Sequence, residues 1–289
     1  MRPRAALQAC RDILRRSGSS FALAFRVLPP DQRDAMTAFY AFCRRVDDAV
    51  DEAPDLATGR SAVCAWQRRL AELVAGRPAA QPVDEALAWA VARFAIQPEH
   101  LSLILEGVER DLQPVRLQRF EALYEYCYRV ASAVGLVCVT ICHRRSPEIE
   151  LYAELTGIAV QLTNIVRDVD QDAAAGRIYL PLEDLRAFGL QPGDLLAGRD
   201  SPQRRRLLRF QARRAAHYYR LAAAALPPAD RHALFFAETL RLTYQRLLHQ
   251  LARVDFAGAV RVELGTPAKL AIALRQRLHP ATLLQRRGA

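Results

Sequence analysis

Three observations predict an all-α, single-domain protein. Apolar residues recur at helical spacing along nearly the whole chain, no run alternates as a strand would, and the breaks between periodic segments are short. The i, i+3, i+4 spacing predicts helices over 5–16, 31–52, 61–75, 83–95, 98–110 and 120–142. Ser146-Pro147-Glu148 reads as an N-cap, a proline at the first helical position and an acidic first turn. That helix is expected to run to about Ala175, where Gly176 supplies the stop. Further helices fit 202–226, 229–254 and 267–278. The breaks at 53–59, 76–82, 188–201 and 226–230 are too short to be interdomain linkers, and no solenoid period is visible. One domain over 1–289 is expected.

Composition narrows the class. A domain of 289 residues buries roughly 75% of its unfolded surface without disulfides, and here 51% of residues are hydrophobic and 25% charged. That balance excludes a wholly disordered or membrane-embedded chain. The net charge of +10, from 41 basic and 31 acidic residues, is carried almost entirely by arginine, with Lys269 the sole lysine. Such a charge attracts polyanions, and nucleic acid, anionic lipid and diphosphate substrates all qualify. The arginine-rich run Arg204–Arg220 can turn Leu207, Leu208, Phe210 and Ala215 to the core and leave its arginines wet, the pattern of a solvated helix face.

The six cysteines (Cys10, Cys43, Cys64, Cys127, Cys138, Cys142) form no CxxC pair. The opening MRPRAALQACRDILRR lacks the apolar core of a signal peptide, so reduced, packed cysteines and a cytoplasmic location are expected. Cys138, Cys142 and His143 lack a fourth ligand and read as packing residues. The run Val130–Cys142 has 13 residues against the about 20 a bilayer span needs, so no spanning helix is expected.

Chemistry enters at Tyr40-Ala-Phe-Cys-Arg-Arg-Val-Asp-Asp-Ala-Val-Asp51. At about 100° per residue, Tyr40, Arg44, Asp47 and Asp51 fall within an arc of roughly 60°, with Asp48 outside it. Like charges one turn apart repel, and a divalent cation would turn that liability into a site. The pattern recurs at Gln161, Asn164, Asp168 and Asp172, within an arc of about 80°. Every ligand is an oxygen, which favours Mg2+ or Mn2+ over zinc. Mg2+ binds through one or two carboxylates and completes its shell with phosphate, so two such stripes suit a diphosphate held through several ions. Each stripe also carries an arginine (Arg44, Arg167) and interrupts a strongly apolar helix. A third segment, Tyr124–Gly135, has small residues Ala131, Ser132, Ala133 and Gly135 that leave room for another helix or for a ligand chain.

At these residues the chain resembles the squalene/phytoene synthase family of head-to-head prenyltransferases. The resemblance covers nearly the whole chain through SGSSF (Ser17–Phe21), YAFCRRVDDAVDE (Tyr40–Glu52), YEYCYRVASAVG (Tyr124–Gly135) and QLTNIVRDVDQDAAAGRIYLP (Gln161–Pro181). It implies an isoprenoid-synthase helical bundle around a central apolar cavity, Mg2+ dependence, and a cytoplasmic or membrane-surface location. It places metal ligands at Asp47, Asp51, Asn164, Asp168 and Asp172. Diphosphate contacts fall on Ser20, Tyr40, Arg44, Gln161 and Arg167. Tyr126 matches the tyrosine of the family's YC motif, Tyr179 the one after the second aspartate motif, and Tyr244 lies near the second diphosphate. Gly18 stands where some relatives carry serine, and the tail around RVELGTPAKL matches loosely.

Within the family, the motifs look most like bacterial presqualene diphosphate synthases of the hopanoid pathway, though phytoene and dehydrosqualene synthases share most of them. The implied reaction ionises one farnesyl diphosphate, adds the C2–C3 double bond of a second, and closes a cyclopropane on loss of a proton. Tyr126 or the released diphosphate is the base, a neutral phenol being a poor one. No NADPH is expected, and no nucleic-acid partner. Rival readings are a basic helical protein that binds polyanions or membranes, for which two acidic stripes have no use, and a purely structural bundle. Farnesyl or geranylgeranyl substrate, the final product and the oligomeric state stay open.

Overall fold

The computed structural model describes residues 2–18, 25–142 and 145–256. Among these every regular element is a helix, apart from one isolated parallel bridge between Arg116 and Ile178. In chain order they are α1 (Arg4–Arg16), α2 (Pro30–Asp51), α3 (Leu56–Val74), α4 (Pro82–Phe94), α5 (Pro98–Arg110), α6 (Phe120–Cys127), a π turn (Tyr128–Ser132) and α7 (Ala133–Cys142). After these come α8 (Pro147–Arg167), α9 (Val169–Ala174), α10 (Leu182–Ala187), α11 (Pro192–Leu196), α12 (Pro202–Ala225), a 3-10 turn (Pro228–Asp230) and α13 (Phe235–Arg253). Ser20, His143, the expected helix 267–278 and the tail motif with Lys269 lie outside the described residues. The chain forms two compact units, Met1–Gln113 with Leu136–Arg144, and Pro114–Gly135 with Arg145–Ala289.

In the first unit α1 packs on α2 and α4. Its buried residues Ala6, Leu7, Cys10, Ile13 and Leu14 follow the helical period. Buried Asp34 of α2 ties the helices together, 2.5 Å from Arg2 and 2.7 Å from Arg11. Helix α3 begins five residues before the expected Ser61, because the Asp55 side chain accepts from the Thr58 amide at 2.7 Å and caps it. Arg69 of α3 stands 3.7 Å over the Trp66 ring and 2.5 Å from Asp84 of α4. A concavity of about 580 Å3 in this unit is lined by Leu14, Phe25 and four arginines, Arg11, Arg15, Arg26 and Arg33, among others.

In the second unit α8 runs through the core against α12, α13 and the π turn. Its nearest approach is at Gly157, where an added Cβ would lie 2.5 Å from the Ser132 N and Cα. Ser132 Oγ donates to the Glu154 carbonyl at 2.7 Å, and a Cβ on Gly135 would come within 3.1 Å of the Ala153 carbonyl. At Ser132 and Gly135, therefore, the small residues serve helix packing.

Several expectations are corrected. The long helix does not reach Ala175 unbroken. It ends at Arg167, where Asp168 adopts φ −101° and ψ 11°, and α9 follows at once. The expected loop 188–201 contains α11, closed by a reciprocal Gln191/Asp194 capping box. Helix 229–254 is interrupted, with regular α-helix only from Phe235. The Arg204–Arg220 arginines are not all wet. Arg204 is 2% exposed and 2.5 Å from Asp170, while Arg214 lies over Phe120 and Phe210 and 2.6 Å from Asp184. All six cysteines are free as expected, but Cys64 is exposed rather than packed. Finally, Phe120–Cys142 is long and apolar enough to cross a membrane by length and composition, once Arg129 is admitted to the run. Half of its most apolar window is buried within the protein, as in a core helix.

Candidate functional site

The first acidic stripe occupies the last three turns of α2, a helix started by Pro30 and carried by buried Phe39, Phe42, Val46 and Val50. The period that buries those residues turns Tyr40, Arg44, Asp47 and Asp51 to another face. The Tyr40 hydroxyl donates to Ser17 Oγ at 2.8 Å, and Ser17 Oγ donates to the Leu14 carbonyl at 2.7 Å. The serine beside Tyr40 is thus Ser17, whereas Ser20 lies outside the described residues. Arg44 pairs at 2.7 Å with Asp48, the carboxylate off the stripe.

Asp47 keeps an exposed face yet is crowded enough to lose much of its hydration. Burial, then the Asp51 charge, pushes its carboxyl up to about 6, with Asp48 and Asp111 adding to the rise and Arg44 opposing it. Asp111 was not singled out from the sequence. An aspartate directly after α5 sits at the end of a helix where the dipole disfavours an anion, and that misplacement was its one readable signal. The Cys43 thiol is pushed up by burial and by Asp47.

The second stripe ends α8. Asn164 Nδ2 donates to Gln161 Oε1 at 3.2 Å, while Asn164 Oδ1 is buried with no hydrogen-bond partner. Arg167 grips its neighbour with a fork, Nε to Asp168 Oδ1 at 2.7 Å and an Nη to Oδ2 at 2.5 Å. Tyr244 of α13 is an electrostatic neighbour of Arg167, and the two partners, Asp168 first, hold the guanidinium pKa up against burial. Despite the break at Asp168, its amide donates to the Asn164 carbonyl at 2.8 Å and the Asp172 amide to the Asp168 carbonyl at 2.9 Å. The i, i+4 spacing of Asn164, Asp168 and Asp172 therefore survives. Buried Tyr126 and Tyr179 stack at 4.9 Å in the same core as Leu162, Ile165 and Val169. Tyr179 is fixed by its neighbour Ile178, whose amide donates to the Val115 carbonyl at 3.2 Å.

Among the described residues no three His, Cys, Asp or Glu side chains form a metal cluster by themselves. The donor set still fits Mg2+ or Mn2+, which bind through few protein carboxylates and fill their shell with water and phosphate. An orphaned carbonyl oxygen on Asn164 and an aspartate whose ionisation is opposed by its neighbours are both relieved by a hard cation.

The fold is that of the isoprenoid synthases, enzymes that transfer prenyl groups from diphosphate substrates. The chain superposes on a dehydrosqualene synthase crystallised with a ligand at a TM-score of 0.85 and 26% identity, covering 97% of this chain and 98% of that one. For squalene synthase HpnC from Alicyclobacillus acidocaldarius the values are 0.78, 28%, 88% and 95%. The squalene/phytoene synthase family profile matches residues 14–270, and the chain belongs to that family. It is 35% identical to a phytoene synthase of Arthrospira platensis over 265 residues, 86% of this chain and 84% of that protein. Phytoene synthase 3 of Zea mays is 34% identical over 264 residues, 89% of this chain but 62% of that longer protein. Members of the family bind prenyl diphosphates and depend on divalent metals.

Proposed function

We propose that the chain works as one catalytic domain that condenses two farnesyl diphosphates head to head into presqualene diphosphate, with release of diphosphate. It does so with Mg2+ or Mn2+ and without NADPH, in the cytoplasm or at the membrane surface. The observation that carries this is the second stripe, where an orphaned Asn164 oxygen, two further carboxylates and an arginine stand on consecutive turns. A buried acceptor left unpaired costs about 1–3 kcal/mol, and a bound cation removes that cost. Asp47 and Asp51 would hold metal on the first stripe, and Asn164, Asp168 and Asp172 on the second. When bound there, the ion supplies Lewis-acid charge that eases departure of the diphosphate.

The chain's own groups do the rest. Arg167, already charged and oriented by Asp168 and Tyr244, donates charge-assisted hydrogen bonds to the diphosphate oxygens, with Gln161 beside it. Arg44 and Tyr40 offer the same on the first stripe, with Ser20 as a further donor. Tyr126 and Tyr179 present a buried aromatic pair that helps exclude the water which would otherwise capture the allylic cation as an alcohol. The cation at C1 of the first molecule is attacked by the C2–C3 double bond of the second. Loss of one proton, to Tyr126 or to the departed diphosphate, then closes the cyclopropane.

A second reading, synthesis of phytoene from the C20 substrate, is favoured by the 34–35% identity to phytoene synthases. Incubation with Mg2+ and either farnesyl or geranylgeranyl diphosphate, without NADPH, separates the two. Mass spectrometry is expected to find a C30 cyclopropyl diphosphate from the farnesyl substrate. A C40 hydrocarbon from the geranylgeranyl substrate would establish the second reading, and no Mg2+-dependent product from either would overturn both.

A further inference from the structure

Behind the second stripe lies an ionic cluster with no part in the chemistry above. Glu238 and Arg241, one turn apart on α13, are 1% and 4% exposed. Arg241 Nε donates to Glu238 Oε1 at 2.6 Å, and an Nη to Oε2 at 3.2 Å. The Tyr152 hydroxyl of α8 donates to the same Oε1 at 3.0 Å, and Arg231 stands 3.8 Å from Oε2. A second Nη of Arg241 reaches Gln245 Oε1 at 3.3 Å. Tyr219 of α12 shares a 3.0 Å hydrogen bond with Thr163 of α8, the residue next to Asn164. Arg241 and Tyr244 are both electrostatic neighbours of that tyrosine.

A buried ion pair is a weak source of stability, since apolar residues of the same volume usually hold helices together as well. What it adds is register. Sliding or rotating α13 along α8 by one turn would strip the buried Glu238 carboxylate of the Tyr152 hydroxyl. Arg241, on the same helix, travels with Glu238 and keeps that carboxylate ionised and oriented for the bond. Arg241 and Tyr244 are three residues apart and share a helix face, so the Tyr152–Glu238 bond that fixes α13 on α8 also fixes where Tyr244 stands beside Arg167. Arg167 in turn forks Asp168.

We propose that Glu238 and Arg241 are positioning residues: they lock α13 in the register that places Tyr244 on Arg167, and so hold the Arg167–Asp168 fork in the geometry that receives the metal–diphosphate group. This rests on the function proposed above. It assigns to two buried residues, which touch no substrate, control over metal and diphosphate affinity rather than over folding alone.

The test uses the full-length protein. Glu238→Leu combined with Arg241→Met keeps the volume apolar and is expected to melt near the parent temperature. Arg241→Lys keeps the charge and loses the fork, and provides a variant that folds if the double replacement does not. Calorimetric titration with inorganic diphosphate and Mg2+ reads affinity without turnover, beside the Mg2+ concentration for half-maximal activity. Each variant should weaken diphosphate binding about tenfold, as loss of an outer-shell partner does, and raise the Mg2+ requirement more than it lowers kcat. Tyr244→Phe should do the same, and adding it to either variant should cause no further loss, because all act through one contact. Unchanged binding in the variants, or losses that add to that of Tyr244→Phe, would overturn the proposal. A parent protein that binds no Mg2+-dependent diphosphate at all would remove the functional reading first, and this inference with it.

Discussion

Asp47 is destabilising to the metal-free protein when ionised. Its carboxyl is raised in the folded state from 3.8 to about 6, so between those pH values the native chain binds more protons than the unfolded one. Stability from this group is therefore present at low pH and is lost as pH rises through 6. Asp47→Asn should raise the melting temperature of chelator-treated protein at neutral pH and leave it unchanged near pH 4, while abolishing turnover. Asp51→Ala and Asp168→Ala should also abolish turnover and keep the helical circular dichroism signal, whereas full activity in either would contradict the metal assignment. Asn164→Ala removes an acceptor that has no partner. It should leave folding intact and raise the half-saturating Mg2+ concentration about tenfold. The paired aspartates were legible in the sequence because helical spacing alone sets which side chains share a face. Ser17 beside Tyr40, Asp111 beside Asp47 and Tyr244 on Arg167 were not, since each joins segments whose approach no local pattern records.

At the scale of elements, the junction of the π turn with α8 is the tightest tolerance in the second unit. Gly157→Ala would drive a methyl into the Ser132 backbone and should cost about 1–3 kcal/mol, as overpacking does. Gly193→Ala meets nothing within 4 Å and needs no positive φ, so urea denaturation should find it nearly neutral. The clasp between α9 and α12 is asymmetric, with Arg204 buried and Asp170 38% exposed. Asp170→Ala leaves a buried cation with only the longer 3.9 Å contact to Asp200, while Arg204→Met leaves a carboxylate that water can reach, so the aspartate variant should be the less stable of the two. Helix interiors followed from apolar periodicity. Their interruptions did not, because Asp168 leaves the helix where its side chain is gripped by Arg167, and α11 is closed by a box rather than by hydrophobic pattern. The wet arginine face failed at Arg204 and Arg214 for a related reason, as both found carboxylates far away in sequence and Arg214 found the Phe120 ring as well.

Over the whole molecule, the all-α class was the most legible property, because it needs only period and break length. The family match over 14–270 follows the same motifs that carry the stripes. The count of 41 basic residues overstates the free cations, since Arg69, Arg204, Arg214 and Arg241 are consumed in ion pairs within the units. Each pair also consumes a carboxylate and so leaves the net +10 unchanged. Thiol reactivity is similarly unequal. Burial pushes Cys10 and Cys142 up to about 12 and raises Cys43, Cys127 and Cys138 as well, whereas Cys64 lies exposed on α3. Since the thiolate is the nucleophile, a maleimide added to native protein should consume one equivalent quickly and the other five only on unfolding, counted by intact mass. The wild-type chain thus comes with a single-site handle on α3, ready for a fluorophore or spin label that reports from the first unit with no engineering of the chain.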